Sequence, residues 1–278
     1  MQVLDGRTAV VTGAGSGIGR ALALRCAAEG MNIVAADIEA AALQETIRLV
    51  TDSGGRATGR VTDIAQLDEV RRLADHAWST FSRVDLLCNN AGVFSGGLLW
   101  ETAPEDVEWT LGVNLYGILH GIWAFVPRMI EQGTEGHIVN TASMAGLAVT
   151  PYSGPYVISK FAAVATSECL AKDLAAVGAR IGVSVLCPSL VATDIGRSRR
   201  NRPARLDAPV SDAARFVEQS LADSTAGGMA PAEVAKIVIE AVRRGDFLIP
   251  TKTSYIRQVT ERTEDLVARR LPRMPKFD

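Results

Sequence analysis

The chain has 278 residues, 47% of them apolar and 22% charged, with a formal net charge of −2. That length suits one large α/β domain, and so even a balance gives no long-range field to attract nucleic acid or a membrane surface. No apolar run approaches the roughly eighteen residues of a bilayer span, and Met1 to Arg7 lacks the basic-then-apolar layout of a secretory signal. Cys26, Cys88, Cys169 and Cys187 lie far apart within predicted helices or strands. They read as small buried thiols of a reducing cytoplasm, not as a disulfide framework. His76, His120 and His137 form no ligand-like cluster, so no metal is expected.

Arg7 to Thr12 is a short β-branched strand, after which Gly13-Ala-Gly-Ser16-Gly17-Ile18-Gly19 opens a helix running through Cys26 to Gly30. Strand, glycine turn and helix form the context a phosphate-binding turn requires. Gly13 permits the tight turn, Gly17 lets main chain approach a pyrophosphate, and Gly19 lets helix and sheet pack. The free N–H groups of the helix N-terminus face the phosphates. A glycine-rich turn without a ligand is the bland alternative.

Met31 to Ala36 is the second strand, and Asp37 stands at its carboxyl end, eighteen residues after Gly19. A carboxylate there accepts hydrogen bonds from both ribose hydroxyls of NAD and repels the 2′-phosphate of NADP. Ile38 offers that phosphate no cation, and Arg20, inside the first helix, is expected to point elsewhere. Asp37 also suits the cap of a helix beginning near Glu39, and the two roles are compatible. Arg56 to Thr62 is the third strand, ending at Asp63-Ile64, a candidate adenine contact, with a helix from Gln66 to Phe81. Val84 to Cys88 is the fourth, closed by Asn89-Asn90-Ala91-Gly92. Small polar and glycine residues there suit a crevice where a cofactor lies against main chain, or simply a turn. Unbroken alternation of strand and helix argues a parallel sheet covered on both faces.

Thr102-Ala-Pro-Glu105 has the spacing of a capping box opening a long helix toward Met129. Inside it, Asn114 is a polar amide among apolar neighbours, either a satisfied core residue or part of a site. His137 to Ser143 is the fifth strand, and Met144 to Tyr152 is a loop. Tyr156 and Lys160 then stand four apart at the start of an Ala- and Leu-rich helix, one turn apart on the same face. An ammonium beside a phenol favours the phenolate and lowers its pKa, which makes the tyrosine an acid or base usable near neutral pH. Ser143, thirteen residues before Tyr156, can hold a carbonyl or alcohol oxygen against the phenol. By itself Tyr-x-x-x-Lys is more often a half-buried ring beside a solvated charge.

Arg180 to Cys187 is the sixth strand, ending in Pro188-Ser189-Leu-Val191-Ala-Thr193. Arg197, Arg199, Arg200, Arg202 and Arg205 crowd the next segment. It reads as solvated and mobile, with a lid over cofactor or acidic substrate as the sharper alternative. Ser211 to Leu221 and Ala230 to Arg243 are helical, Asp246 to Pro250 is a last strand, and Tyr255 to Leu271 is a charged amphipathic helix.

Taken together, Thr12 to Gly19, Asn89-Asn90-Ala91-Gly92, Asn114, Ser143, Tyr156 and Lys160 resemble the short-chain dehydrogenase/reductase family, in order and at suitable intervals. The match runs from about Gly6 to Thr193 and departs at Pro188-Ser189, where the family usually has Pro-Gly. The resemblance implies a single doubly wound Rossmann domain over residues 1–278. Its seven-stranded parallel sheet would carry helices on both faces, with residues 194–228 as a substrate-binding or lid segment. NAD would meet Gly13, Ser16, Gly17, Ile18, Gly19, Asp37, Asp63, Ile64, Asn90, Ala91 and Gly92, then Tyr156, Lys160, Pro188, Val191 and Thr193.

The implied catalytic residues are Asn114, Ser143, Tyr156 and Lys160. Tyr156 exchanges the alcohol proton, Ser143 orients the reacting oxygen, Lys160 lowers the tyrosine pKa and binds the nicotinamide ribose, and Asn114 holds a water. The substrate is a secondary alcohol or ketone, in a pocket whose expected walls include Phe94, Leu98, Met144, Leu147, Tyr152 and Leu190. Gly112-Val-Asn-Leu-Tyr-Gly, Phe125-Val-Pro-Arg-Met-Ile130 and the stretch from Arg200 to Ala204 are similar to bacterial dehydrogenases that oxidise benzylic alcohols of lignin-derived aryl ethers. A homodimer or homotetramer is implied through the helices carrying Asn114 and Tyr156, with Ala162, Ala163 and Ala165 allowing close approach. A non-catalytic NAD-binding sensor uses the same fold. A methyltransferase using S-adenosylmethionine shares the glycine turn and acidic residue, but has no need of Ser143, Tyr156 and Lys160.

Overall fold

The computed structural model describes residues 1–275. Its strands are β1 Thr8–Thr12, β2 Asn32–Asp37, β3 Ala57–Val61, β4 Leu86–Asn89, β5 Gly136–Thr141, β6 Ile181–Cys187 and β7 Leu248–Pro250. They form one sheet in the order β3-β2-β1-β4-β5-β6-β7, and every neighbouring pair is parallel. The doubly wound seven-stranded expectation holds, each strand lying within two residues of its predicted limits. Strand order reverses between β1 and β4, and the connections leaving their carboxyl ends part there to open a crevice.

The helices are α1 Gly17–Ala28, α2 Ala40–Asp52, α3 Leu67–Phe81, α4 Pro104–Leu111, α5 Gly117–Gln132, α6 Gly154–Ala176, α7 Asp212–Ala226, α8 Pro231–Arg244 and α9 Ser254–Val267. Successive strand residues face opposite sides, so Val11 and Ile33 join Leu22, Val238 and Ile239 in one core layer. Val10 and Val34 join Leu73, Phe125 and Ile138 in the other. Burial on both faces explains why β1 reads as a continuous apolar run without alternation.

Several expectations are corrected. The Thr102 capping box does not form: Ala103 precedes α4 with no side-chain cap, and the Thr102 hydroxyl turns back to donate to Leu98 O at 3.1 Å. Pro104 at the first helical position supplies the start instead. α4 and α5 run on through a π-turn, Gly112–Tyr116. The combined helix Pro104–Gln132 is, by length and composition, long and apolar enough to cross a bilayer, contrary to the sequence reading. Here half of its apolar stretch is buried inside the domain, with Phe125 and Met129 in the core.

Cys26, Cys88 and Cys187 are buried as expected, whereas Cys169 is exposed on α6, and all four are free thiols. Ala163 is fully buried toward Ala142, Met144 and Val185 of its own chain, so it is unavailable to another helix. The helix expected over Tyr255 to Leu271 is realised as α9, which ends at Val267.

Candidate active site

A cavity of about 950 Å³ follows the carboxyl ends of the strands. At one end the glycine turn passes from β1 into α1. Gly13 has φ +65° and a Cβ there would lie 2.8 Å from Ala91 Cα, while a Cβ at Gly19 would overlap Gly13 O. Both glycines are therefore required by close main-chain approach. Ser16 precedes α1 in extended conformation and makes no side-chain cap, so first-turn N–H groups stay open to an anion. Asp37 closes the turn from the second strand: Oδ2 accepts from Gly15 N at 2.7 Å and Oδ1 from Glu39 N at 2.9 Å. Arg20 does point elsewhere, bonding Gly15 O, Ala42 O and Thr46 Oγ1.

Thr12 fastens the β4 turn to β1. Its Oγ1 accepts from Asn90 N at 2.9 Å and Ala91 N at 3.1 Å, and its carbonyl accepts from Asn90 Nδ2 at 3.0 Å. Of the residues expected to meet a cofactor, Gly13, Ser16, Gly17, Ile18, Gly19, Asp37, Asp63, Ile64, Asn90, Ala91, Gly92, Pro188, Val191 and Thr193 all line the cavity, with Tyr156 and Lys160. Uncapped N–H groups, glycines forced by contact and a carboxylate at the end of β2 fit a dinucleotide.

The chemical end is assembled from three elements. β5 ends at Thr141, two residues short of prediction, and Ser143 begins a short 3₁₀ turn, its Oγ accepting from Ala145 N at 3.1 Å. α6 starts beside it, with Pro155 at its first turn, and carries Tyr156 and Lys160 on one face. The Ser143 hydroxyl is the polar side chain that acts on the Tyr156 phenol. Lys160 is 2% exposed and donates to Thr141 O at 3.0 Å. Its Nζ lies 5.5 Å from the Tyr156 ring centroid.

The electrostatics differ from the sequence expectation. Burial pushes the Tyr156 phenol above its ordinary range, the Ser143 hydroxyl pulls it back, and Cys187 adds a smaller upward push. Lys160 is itself dehydrated, and its own pKa falls to about 8. The Cys187 thiol, also beside Ser143 and Lys160, is pushed up to about 12 by burial and is inert.

Asn114 stands apart from the cavity lining. The π-turn directs its amide inward, where Oδ1 accepts from Val93 N at 2.8 Å, and Nδ2 donates to Val93 O and to Ser159 Oγ, both at 2.9 Å. Ser159 in turn donates to Tyr156 O at 2.7 Å, so Asn114 braces the helix that carries the tyrosine. Thr141 and Ser159 were not singled out from the sequence, and Thr12 was named there only as the end of the first strand and the start of the glycine motif. Ser159 left a signal, a small hydroxyl in a helix interior one residue before Lys160. Thr141 acts through its main chain and left none.

A family profile described as short chain dehydrogenase matches residues 7–204. The chain belongs to the short-chain dehydrogenase family. A crystal structure of a short-chain dehydrogenase/reductase from Burkholderia phymatum in complex with NAD is 39% identical, with a TM-score of 0.97 over 99% of each chain. The CLA biosynthesis dehydrogenase/reductase of Lactiplantibacillus plantarum is 32% identical over 262 residues, 92% of each chain. The C alpha-dehydrogenase of Sphingobium sp. is 36% identical over 206 residues, 74% of this chain and 67% of that one.

In this short-chain dehydrogenase the arginine-rich segment is not a free solvated run. Ile195–Asn201 and Ala204–Leu206 are 3₁₀ turns. Arg202, 3% exposed, pairs with the buried Asp106 of α4, and Arg199 reaches Glu218 at 2.7 Å and Asp106 at 3.5 Å. Arg205 meets Glu108 at 2.9 Å and Arg200 meets Glu39 at 3.0 Å. Each of these four guanidinium groups thus has a carboxylate remote in sequence. Of the expected apolar walls, Phe94, Met144 and Leu190 line the cavity, but Leu98, Leu147 and Tyr152 do not. Leu147 packs into the core beside Met144 and Ala163, and the Tyr152 ring turns outward to meet Phe216 edge-on.

Proposed function

We propose that the protein is an NAD-dependent dehydrogenase that interconverts a secondary alcohol and its ketone. The observation that carries the reading is the convergence of the Ser143 hydroxyl, Tyr156 phenol and Lys160 ammonium at one end of the cavity that begins at the glycine turn. The NAD-bound Burkholderia phymatum neighbour and the carboxylate of Asp37 support NAD as the dinucleotide. Gly13 to Gly19 would hold its pyrophosphate, Asp37 its adenosine ribose, and Asp63 and Ile64 its adenine. Asn90, Ala91, Gly92, Pro188, Val191 and Thr193 would hold the remainder. When bound, NAD supplies the hydride acceptor.

In the oxidative direction Tyr156, having given its own proton to solvent, receives the hydroxyl proton of the substrate as the phenolate. Ser143 Oγ donates to the reacting oxygen and fixes it against the phenol, which secures near-attack geometry. Lys160 keeps a positive charge within reach of the phenol as it ionises, opposing the upward push of burial. Asn114 positions α6 through Ser159. Phe94, Met144, Leu190 and Val217 leave a largely apolar space, which supports a bulky, apolar or aromatic alcohol. The segment 194–228, with its side chains on that space, serves as the substrate-binding wall. Tyr116, Trp123 and Ile158 are each about half exposed on the helices bearing Asn114 and Tyr156, and favour a dimer or tetramer paired there. The four unbridged thiols agree with a cytoplasmic setting.

The test is a panel of secondary alcohols and ketones, aryl carbinols and small polyols included, read at the NADH absorbance with NAD and NADP in parallel. Aryl carbinols should turn over with NAD, and Tyr156→Phe should bind NADH within about threefold of the parent while losing at least 10²-fold in kcat. A parent that binds NADH and turns over none of the panel would leave the sensor reading in its place.

A further inference from the structure

The arginine-rich segment touches the cofactor half of the cavity through one carboxylate. Glu39 Oε1 accepts from Arg200 Nε at 3.0 Å and from Asn201 Nδ2 at 2.7 Å. Glu39 lies just before α2, and its own N–H donates to Asp37 Oδ1. Arg200, Glu39 and Asp37 therefore form a continuous chain across the cavity, and all three line it. The main chain of the segment steadies Arg200, whose Nη1 donates to Arg197 O at 3.0 Å and Asp194 O at 3.4 Å.

This arrangement places a guanidinium where selectivity for NAD would ordinarily forbid one. A cation near the carboxylate that binds ribose is what a 2′-phosphate requires. Two lie close by. Arg20 is committed to main-chain oxygens behind the glycine turn. Arg200 faces the cavity, 41% exposed, and Glu39 is the carboxylate that occupies it.

We propose that Glu39 is a second dinucleotide-selecting residue, which excludes NADP by holding the charge of Arg200 while Asp37 repels the phosphate directly. Selectivity is then divided between one carboxylate that repels the wrong ligand and another that withholds the cation able to rescue it. The inference rests on the dinucleotide part of the proposed function and not on the alcohol chemistry. The Glu39–Arg200 pair is half exposed and screened, so its stability matters little, while its effect on where positive charge is available remains.

The experiment reads binding alone. Dissociation constants for NADH and NADPH are measured by fluorescence at fixed ionic strength for the parent, Asp37→Asn, Asp37→Asn/Glu39→Gln, and that double variant with Arg200→Ala. Glutamine keeps an oxygen for Asn201 and removes the charge. Adding Glu39→Gln to Asp37→Asn should raise the NADH-to-NADPH ratio of dissociation constants by about tenfold in favour of NADPH. Arg200→Ala should cancel that gain. No gain from Glu39→Gln overturns the proposal, and so does a gain that survives Arg200→Ala, which would assign the phosphate to another group such as Arg20. A parent that binds neither dinucleotide would overturn the underlying reading as well, so the two failures are distinguishable.

Discussion

Lys160 directs its ammonium to the carbonyl of Thr141 at 3.0 Å and stands 5.5 Å from the centroid of the Tyr156 ring. One buried cation thus serves the strand end and the phenol together. Removing a buried charge and retaining the stem should cost the fold little. Lys160→Met is expected to unfold at the parent's denaturant midpoint or above it at pH 7, and to lose nearly all turnover. Burial puts the native pKa at about 8 against 10.5 for the free side chain. Between those values the unfolded chain binds more protons, so the parent gains stability as pH rises through that window and the Met variant does not. Urea midpoints for both proteins at pH 7 and pH 10 check this; a gap that moves against the parent at pH 10 would contradict it.

His137 supplies the acid counterpart. Its ring is buried in β5, with Nε2 2.8 Å from Ser184 Oγ, whose own proton goes to Asp246 O. Burial lowers its pKa from 6.5 to about 4. The native state therefore resists a proton that the unfolded chain accepts, and stability present above pH 6.5 is lost as pH falls toward 4. The loss should approach about 3 kcal/mol. His137→Gln should flatten that limb in a pH series of thermal melts, and an unchanged slope would place the acid sensitivity elsewhere.

Asn114 satisfies both main-chain groups of Val93 and reaches Ser159. Asn114→Ala would leave a buried N–H and C=O without partners, a cost of roughly 2–4 kcal/mol. For a chain of this size that is a fall of roughly 5–15 °C in melting temperature. Turnover should fall with it, because the Ser159 bond to Tyr156 O is set from the same amide. A melting temperature within about 2 °C of the parent would mean water replaces the amide fully.

The glycine turn makes a contrasting pair. A methyl at Gly19 would overlap Gly13 O, whereas one at Gly227 meets nothing within 4 Å and its φ of −96° suits any residue. Gly19→Ala should abolish detectable NADH binding by fluorescence titration, and Gly227→Ala should bind as the parent does. Comparable affinities in both variants would show that the turn does not hold the dinucleotide.

The elements whose chemistry depends on residue type were legible before any coordinates. Gly13, Gly17 and Gly19 had to be glycines, and Ser143, Tyr156 and Lys160 carry functional groups whose spacing alone suggested one face. What stayed hidden depends on distance along the chain or on environment. Arg199, Arg200, Arg202 and Arg205 read as solvated because their partners Glu218, Glu39, Asp106 and Glu108 lie 19 to 161 residues away. The Thr102 capping box failed because the helix starts one residue later, with Ala103 at the cap and Pro104 first, which takes Thr102 out of the capping position. The predicted lowering of the Tyr156 pKa weighed the neighbouring cation and not the dehydration both groups share. The π-turn at Gly112–Tyr116 left no mark in the apolar periodicity, since it shifts register by a single residue.

That wide turn makes the spacing within the long helix matter more than its composition. Dropping one residue between Trp109 and Trp123 would restore a regular spiral and swing Asn114 about 100° around the axis, off Val93 and Ser159. Point replacements on the outer side of this stretch leave the brace in place, whereas a one-codon deletion removes it. On that outer side the helix accommodates a changed side chain more readily than a changed residue count.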